Sequence, residues 1–172
     1  IDFVNWVLGE TPTQVMGVGG IDYWKDGRET YDNVHLTYSY ANGVKAKFSC
    51  LTSNAKDGYQ IKVLGDKGTL IIDYKDAWFY PEGNNNTKVT GVVDGVSGAT
   101  LQWGKEKGYK IDVEHLNPTE QALIDFREAI QKNKQPECGI LTGAKTAISV
   151  QMGLDAMYKN EIIRWKDDLL RF

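Results

Sequence analysis

Two short segments, residues 34–40 and 44–51, constrain the fold of this chain more than any other feature. Each alternates apolar with polar residues, which is the period of a β-strand with one buried face. A two-residue turn between them would place the two apolar sets on opposite faces of the sheet, whereas a three-residue loop places them on the same face. We therefore predict a hairpin with the loop 41–43, in which Gly43 adopts the left-handed conformation.

This loop also determines which residues face each other across the hairpin. It pairs Tyr38 with Ala46 and Leu36 with Phe48 on the apolar face. The other face is hydrophilic without being strongly charged, and it carries His35, Thr37, Ser39, Lys45, Lys47 and Ser49. We expect this second face either to be solvated or to contact a partner.

The rest of the chain predicts a short helix, further strands and then two helices. A helix ends at residue 8; strands follow at 13–22, 59–64, 69–73 and 77–80, with weaker ones at 88–93 and 100–103; helices follow at 118–132 and 142–159, and a last strand at 161–165. The helix at 118–132 begins at an Asn-Pro-Thr-Glu sequence, which is typical of an N-cap. Its predicted buried stripe consists of Ala122, Leu123, Phe126, Ala129 and Ile130.

Strands in runs followed by helices in runs are typical of the α+β class. We predict an open, predominantly antiparallel β-sheet with helices packed on one face. No repeat or linker divides the sequence, so we expect residues 1–172 to form a single domain.

The charge balance argues against two classes of partner. The chain has 20 Lys and Arg against 23 Asp and Glu, a net charge of −3, which provides no electrostatic surface for nucleic acid or an anionic membrane. No apolar run reaches the ~20 residues of a membrane-spanning helix. We therefore expect no nucleic-acid partner and no membrane. The two cysteines, Cys50 and Cys138, are expected to be free thiols.

The sequence contains no standard catalytic or cofactor motif. Its two histidines, His35 and His115, lie 80 residues apart and lack the spacing of a metal site. The glycine cluster at 17–20 does not match the Gly-x-Gly-x-x-Gly fingerprint, and no helical pattern follows it. We therefore predict no catalytic set, no metal and no bound cofactor in this chain.

The loop 24–31 (WKDGRETY) is the candidate binding segment. It combines aromatic rings with an arginine and acidic residues, a mixture that binds polyols by stacking and by paired hydrogen bonds. An ordinary exposed loop can have the same composition. The residues alone leave both interpretations open.

The order of several motifs adds a family resemblance. Residues 1–9 (IDFVNWVLG) resemble the end of the motif H-x-x-D-x-x-x-W-L-x-G, which opens the C-terminal domain of the glucose-fructose oxidoreductase/inositol dehydrogenase (Gfo/Idh/MocA) family. Further matching segments follow in the family's order at 15–20, 27–32, 40–44, 61–70, 119–130, 143–158 and 162–165. The resemblance therefore covers nearly the whole chain.

The resemblance implies one half of a two-domain enzyme. In this family an N-terminal Rossmann domain binds NAD or NADP, and the α+β domain supplies part of the substrate site and the oligomer contacts. Aligned on the motif, Asp2 takes the position of the family's Asp, and the catalytic His falls two positions before Ile1. The catalytic Lys belongs to the Rossmann half. We expect a chain that is inactive alone, from an oxidoreductase that transfers hydride between a sugar or polyol and the nicotinamide.

The same resemblance suggests site residues and partners. We expect Asp2, Trp24, Arg28 and Tyr31 to contact the substrate. We also expect the hydrophilic sheet face to meet a second copy of the chain, which gives a homo-oligomer, and we expect a cytoplasmic location. The family also contains NAD-dependent glycosidases and non-catalytic sugar-binding modules. The resemblance does not choose between these functions.

Overall fold

The structure is a computed structural model that describes residues 1–56, 58–82, 108–112, 117–136 and 138–170. The predicted strands at 88–93 and 100–103, and His115, lie outside these described residues. The chain divides into two compact units, one formed by Ile1–Ala55 with Leu123–Phe172 and the other by Lys56–Ala122.

The described residues form three α-helices, eight strands and one short 3-10 helix. In chain order these are α1 (Asp2–Leu8), β1 (Gln14–Gly20), β2 (Asn33–Ser39), β3 (Lys45–Leu51), β4 (Ile61–Leu64), β5 (Gly68–Ile72), β6 (Ala77–Pro81), β7 (Tyr109–Ile111), α2 (Pro118–Gln131), α3 (Ile140–Lys159), β8 (Ile163–Arg164) and the 3-10 helix (Asp167–Leu170). The bounds predicted from the sequence agree with these within two residues, whereas β7 and the 3-10 helix were not predicted.

The first unit contains a four-stranded antiparallel sheet in the order β3-β2-β1-β8. Tyr38 lies opposite Ala46 and Leu36 opposite Phe48, so the predicted register is confirmed. The Tyr40 N–H donates to the Val44 carbonyl at 3.0 Å, and Gly43 has φ +90°. The predicted three-residue loop is therefore confirmed as well.

Helices α1 and α3 pack on the same face of this sheet. The core beneath them consists of Val15, Leu36, Tyr38, Tyr40, Met152, Ala156 and Met157. A polar network ties the two helices to each other and to Tyr40 at the end of β2, because the Tyr40 hydroxyl donates to Asn5 Oδ1 at 2.8 Å and Asn5 Nδ2 donates to Ser149 Oγ at 3.3 Å. The Tyr38 hydroxyl also donates to the Ser149 carbonyl at 3.1 Å. Burial raises the pKa of both tyrosines to about 12, so both remain protonated donors.

The second unit contains another four-stranded antiparallel sheet, in the order β4-β5-β6-β7. Its first hairpin closes with a hydrogen bond of 2.9 Å from the Gly65 N–H to the Gly68 carbonyl. Gly68 must be small, because a Cβ there would overlap the Phe79 ring and lie 2.7 Å from the Tyr80 carbonyl oxygen. The hairpin predicted around residues 65–68 is confirmed.

Helix α2 begins as predicted but is not buried as predicted. Asn117 Oδ1 accepts hydrogen bonds from the N–H groups of Thr119 (3.0 Å) and Glu120 (3.3 Å), which is N-cap geometry. The predicted buried stripe is wrong, since Leu123, Phe126 and Ile130 are 66%, 60% and 65% exposed. Within the described residues, α2 has no buried side chain, so neither face of this helix belongs to a core.

These observations confirm the predicted α+β class with open antiparallel sheets. The described strands are divided equally between two sheets, and the helices of the first unit lie on one face of its sheet. Within the described ranges, no helix combines the length and the hydropathy that a membrane crossing needs.

Candidate functional site

The loop between β1 and β2, residues 21–32, is organised around one buried carboxylate. Asp32 is only 2% exposed. Its carboxylate accepts hydrogen bonds from the backbone N–H groups of Trp24 (2.9 Å), Tyr23 (2.9 Å) and Asp22 (3.2 Å). These hydrogen bonds, with that from Trp24 the strongest, hold the pKa of Asp32 well below its usual range. The carboxylate therefore stays ionised and fixes the path of the first half of the loop.

The neighbouring side chain of Asn33 joins the two ends of the loop. Its Nδ2 donates to the Gly20 carbonyl at 3.2 Å, to Asp22 Oδ2 at 2.6 Å and to Asp32 Oδ1 at 3.0 Å. The Asp32 N–H also donates to the Gly20 carbonyl, at 2.8 Å. The loop is thus closed at its base by both backbone and side-chain hydrogen bonds.

Tyr23, Trp24 and Arg28 of this loop form an aromatic and cationic cluster. The Arg28 Cζ lies 5.1 Å from the centre of the Trp24 ring, within the range of a cation–π contact. Tyr23 packs edge-on against Trp24, with ring centres 5.0 Å apart. Trp24 Nε1 donates to Thr52 Oγ1 at 3.0 Å, which orients the indole. Tyr23 is 63% exposed and Trp24 is 38% exposed, so both rings can be reached by a ligand.

The guanidinium of Arg28 is already paired with a carboxylate. Arg28 Nε donates to Asp26 Oδ1 at 2.9 Å and Nη2 donates to Asp26 Oδ2 at 2.7 Å, a bidentate arrangement. The hydrogen bond from Arg28 lowers the pKa of Asp26 to about 2. Gly27 allows the tight turn between the two residues, because it has φ +86°.

The structure does not bring all four predicted substrate residues together. Trp24 and Arg28 are in contact. Tyr31 packs on Tyr158 of α3, with ring centres 4.6 Å apart, whereas Asp2 accepts a 2.6 Å hydrogen bond from the hydroxyl of Thr146 of the same helix. Because an α-helix rises 1.5 Å per residue, Thr146 and Tyr158 are separated by about 18 Å along α3.

Asp32 is the residue of this site that sequence reasoning missed. A carboxylate in a polar loop is usually solvated, and Asp32 was one of several acidic residues in such a loop. The sequence signal available for it is its position directly before strand β2. The choice of this one carboxylate depends on how the loop folds back, which the sequence pattern does not encode.

The outer face of the first sheet carries a shallow depression of about 490 Å³. Its lining includes Met16, Val18, His35, Thr37, Lys47 and Ser49. His35 Nδ1 and Ser49 Oγ lie 3.3 Å apart across β2 and β3. The predicted hydrophilic face is therefore open, and β1 adds exposed apolar side chains to it.

The described residues provide no site for a metal ion, since no three of their His, Cys, Asp and Glu side chains are grouped for ligation. The glycine cluster at 17–20 lies in β1. A Cβ on Gly19 would lie 2.6 Å from the Asn33 carbonyl oxygen and 2.7 Å from the Tyr31 ring. These glycines therefore serve close packing, and they do not form a phosphate-binding loop.

Comparison with known proteins links the chain to one family. Residues 1–71 match the sequence model of the GFO/IDH/MocA C-terminal domain. No curated protein sequence matches the chain.

Several solved structures share the fold. Aldose-aldose oxidoreductase from Caulobacter crescentus, complexed with glycerol, superposes with a TM-score of 0.69 at 17% identity, over 95% of this chain and 44% of its own. UDP-N-acetylglucosamine 3-dehydrogenase from Acidithiobacillus ferrooxidans gives a TM-score of 0.67 at 17% identity, over 92% and 46%. Levoglucosan dehydrogenase, in complex with NADH and levoglucosan, gives 0.65 at 13% identity, over 95% and 47%.

The chain therefore spans less than half the length of each of these proteins. At these identities the likeness establishes a shared fold. The resemblance to the C-terminal domain of the GFO/IDH/MocA family is confirmed by the sequence match over residues 1–71. Over most of the chain, the solved structures show a shared fold.

Proposed function

We propose that this chain is the substrate-contacting, C-terminal part of an NAD(P)-dependent oxidoreductase that acts on a sugar or polyol. The observation that carries the proposal is the family match over residues 1–71, which contain both α1 and the loop around Asp32. The similar structures support it, since they are of oxidoreductases or dehydrogenases of carbohydrates, one of them in complex with NADH.

In this proposal the chemistry is divided between two halves of a longer protein. The dinucleotide, NAD or NADP, supplies hydride transfer when bound to an N-terminal Rossmann domain. Among the described residues, the clustered glycines lie in strand β1 and do not form a loop before a helix, so they offer no binding loop for its phosphates. The role left to this chain is to bind and orient the substrate.

The loop provides the substrate contacts that we propose. The exposed rings of Tyr23 and Trp24 offer apolar faces for the C–H groups of a sugar ring. Arg28 contributes N–H groups at the edge of the same cluster. Tyr31, which packs on Tyr158 of α3, is a further proposed contact of the loop. Asp2, at the other end of α3, is the second proposed contact, and its exposed carboxylate can accept a hydroxyl hydrogen bond.

The outer face of the first sheet is the surface that we propose for pairing with a second copy. It combines the hydrophilic residues of β2 and β3 with Met16 and Val18, which are exposed. An exposed sheet face on which apolar side chains lie beside polar ones suits an isologous contact. Sedimentation of the chain as a monomer at high concentration, unchanged by Val18→Lys, would contradict this part of the proposal.

Two measurements test whether the dinucleotide is bound by a different part of the protein from this chain. We expect NADH fluorescence to show no binding to this chain alone, whereas a gene product extended toward the N-terminus should bind NADH and reduce NAD(P) with a sugar or polyol. Binding of NADH by the isolated chain would overturn the proposal. A longer protein that binds sugar but lacks the family's Lys and His would instead support a non-catalytic sugar-binding module.

A further inference from the structure

The cluster in the loop 21–32 is rich in charge, yet its cations are already occupied. The loop contains four acidic residues and two basic residues. The guanidinium of Arg28 makes a bidentate pair with Asp26. The ammonium of Lys25 donates to the Ile21 carbonyl at 2.9 Å. An anionic ligand would therefore have to compete with Asp26 for Arg28, and Lys25 already uses one of its three N–H donors.

The acidic residues of the loop differ in how exposed they are to solvent. Asp32 is buried and satisfied by backbone N–H groups. Asp22 receives one hydrogen bond from Asn33 but is exposed, and Glu29 is exposed as well. A ligand that approaches the rings of Tyr23 and Trp24 thus meets apolar faces in a region with an excess of negative charge.

We propose that this loop selects uncharged sugars and polyols over anionic ones such as uronic acids and sugar phosphates. The inference rests on the proposed function, because it assumes that the loop contacts the substrate. Selectivity arises from the Asp26–Arg28 pair. Because two N–H donors of the guanidinium are already bound to Asp26, they are not available for the bidentate hydrogen bonds that a carboxylate or phosphate would need. The hydroxyl groups of a neutral sugar need no such charge, and its ring can stack on the exposed aromatic faces.

The test compares two probes that differ in one group, D-glucose and D-glucuronate, by following the Trp24 indole N–H resonance of this chain by NMR. Trp24→Phe identifies that resonance among those of the five tryptophans. A local excess of two negative charges at roughly 8 Å in water weakens the binding of an anion about fivefold. We define the midpoint as the sugar concentration that gives half of the full shift of this resonance. We expect the midpoint for glucuronate to exceed that for glucose by this factor, and the ratio of the two midpoints to decrease in high salt.

Asp26→Asn is the informative variant, since it frees the guanidinium of Arg28 and removes one negative charge. We expect the glucuronate midpoint of this variant to fall to, or below, the glucose midpoint. Asp155→Asn is the matched control, because it removes the same charge from an exposed pair with Lys159 in α3. It should leave the ratio of the two midpoints as in the unmodified chain.

Three outcomes separate failure of this inference from failure of the proposed function. Glucuronate that binds the unmodified chain as tightly as glucose does would overturn the inference alone. A ratio that is the same in Asp26→Asn and Asp155→Asn would also overturn it, because the ion pair would then not be the cause. If neither sugar moves the Trp24 resonance, the proposed contact between the loop and the substrate fails, and the inference fails with it.

Discussion

Gly153 lies where helix α3 comes closest to the first sheet, and its replacement by alanine sets two effects against each other. Inside a helix, Gly→Ala usually stabilises a protein by about 1 kcal/mol, because alanine loses less backbone entropy on folding. Here a Cβ on Gly153 would lie 2.8 Å from Leu36 Cδ1 and would overlap the Tyr38 hydroxyl. The side chains of Leu36 and Tyr38, or the helix itself, must therefore move to accept it.

The cost of that movement exceeds the gain in helix propensity. Adding a methyl group to a well-packed core costs about 1–3 kcal/mol. The Tyr38 hydroxyl also donates a 3.1 Å hydrogen bond to the Ser149 carbonyl, and its displacement costs about 1 kcal/mol more. After the helix gain is subtracted, we expect Gly153→Ala to lower the free energy of unfolding by about 1–3 kcal/mol.

Gly143→Ala is the matched control for this prediction. Gly143 belongs to the same helix, and nothing lies within 4 Å of the position of its Cβ. We expect this variant to be more stable than the unmodified chain by up to about 1 kcal/mol. Urea unfolding followed by far-ultraviolet circular dichroism measures both. If Gly153→Ala proved as stable as Gly143→Ala, the close packing of α3 on the sheet would be refuted.

Three further substitutions test individual contacts. Asp32→Asn should lower the urea midpoint at neutral pH. Because the pKa of Asp32 is lowered in the folded chain, its contribution is complete above the ordinary Asp value of 3.8 and is lost as the pH falls below it; a difference between the two proteins that stays constant into acid would contradict this. Tyr40→Phe removes a 2.8 Å hydrogen bond to Asn5 Oδ1 and should cost about 1 kcal/mol in thermal unfolding. Tyr109→Phe, on an exposed ring, should change stability by less than about 0.5 kcal/mol, so equal losses in the two variants would rule out the Tyr40 contact. Asn117→Ala removes the cap of α2 and should destabilise its first turn by about 1 kcal/mol, seen as faster amide hydrogen exchange there; unchanged exchange would show that the cap is dispensable.

Local features of this fold could be predicted from the sequence because they depend on neighbouring residues. The alternation in residues 34–51 and the glycine at position 43 define the register of the β2–β3 hairpin without reference to the rest of the chain. The cap of α2 likewise depends only on Asn117 and the next three residues. In both cases the signal and the structure that it determines lie within a few positions.

Features that depend on distant surfaces were not predictable in the same way. The apolar stripe of α2 has the period of a buried face, yet burial also needs a second surface, and none of the described side chains of α2 is buried. Asp32 is buried because the loop returns over it, which its polar neighbours in the sequence do not indicate. The separation of Asp2 from Tyr31 follows from where each meets α3.

That separation determines how much of the proposed site one ligand can occupy. Asp2 is held at Thr146 and Tyr31 at Tyr158, and a rigid helix keeps these points about 18 Å apart. A monosaccharide is far shorter than this, so a single molecule cannot touch both Asp2 and Tyr31 of one chain. A sugar held by the loop leaves the bond between Asp2 and Thr146 intact, whereas a substrate that reaches both must extend along α3. The length of the substrate therefore decides which of the four residues act together.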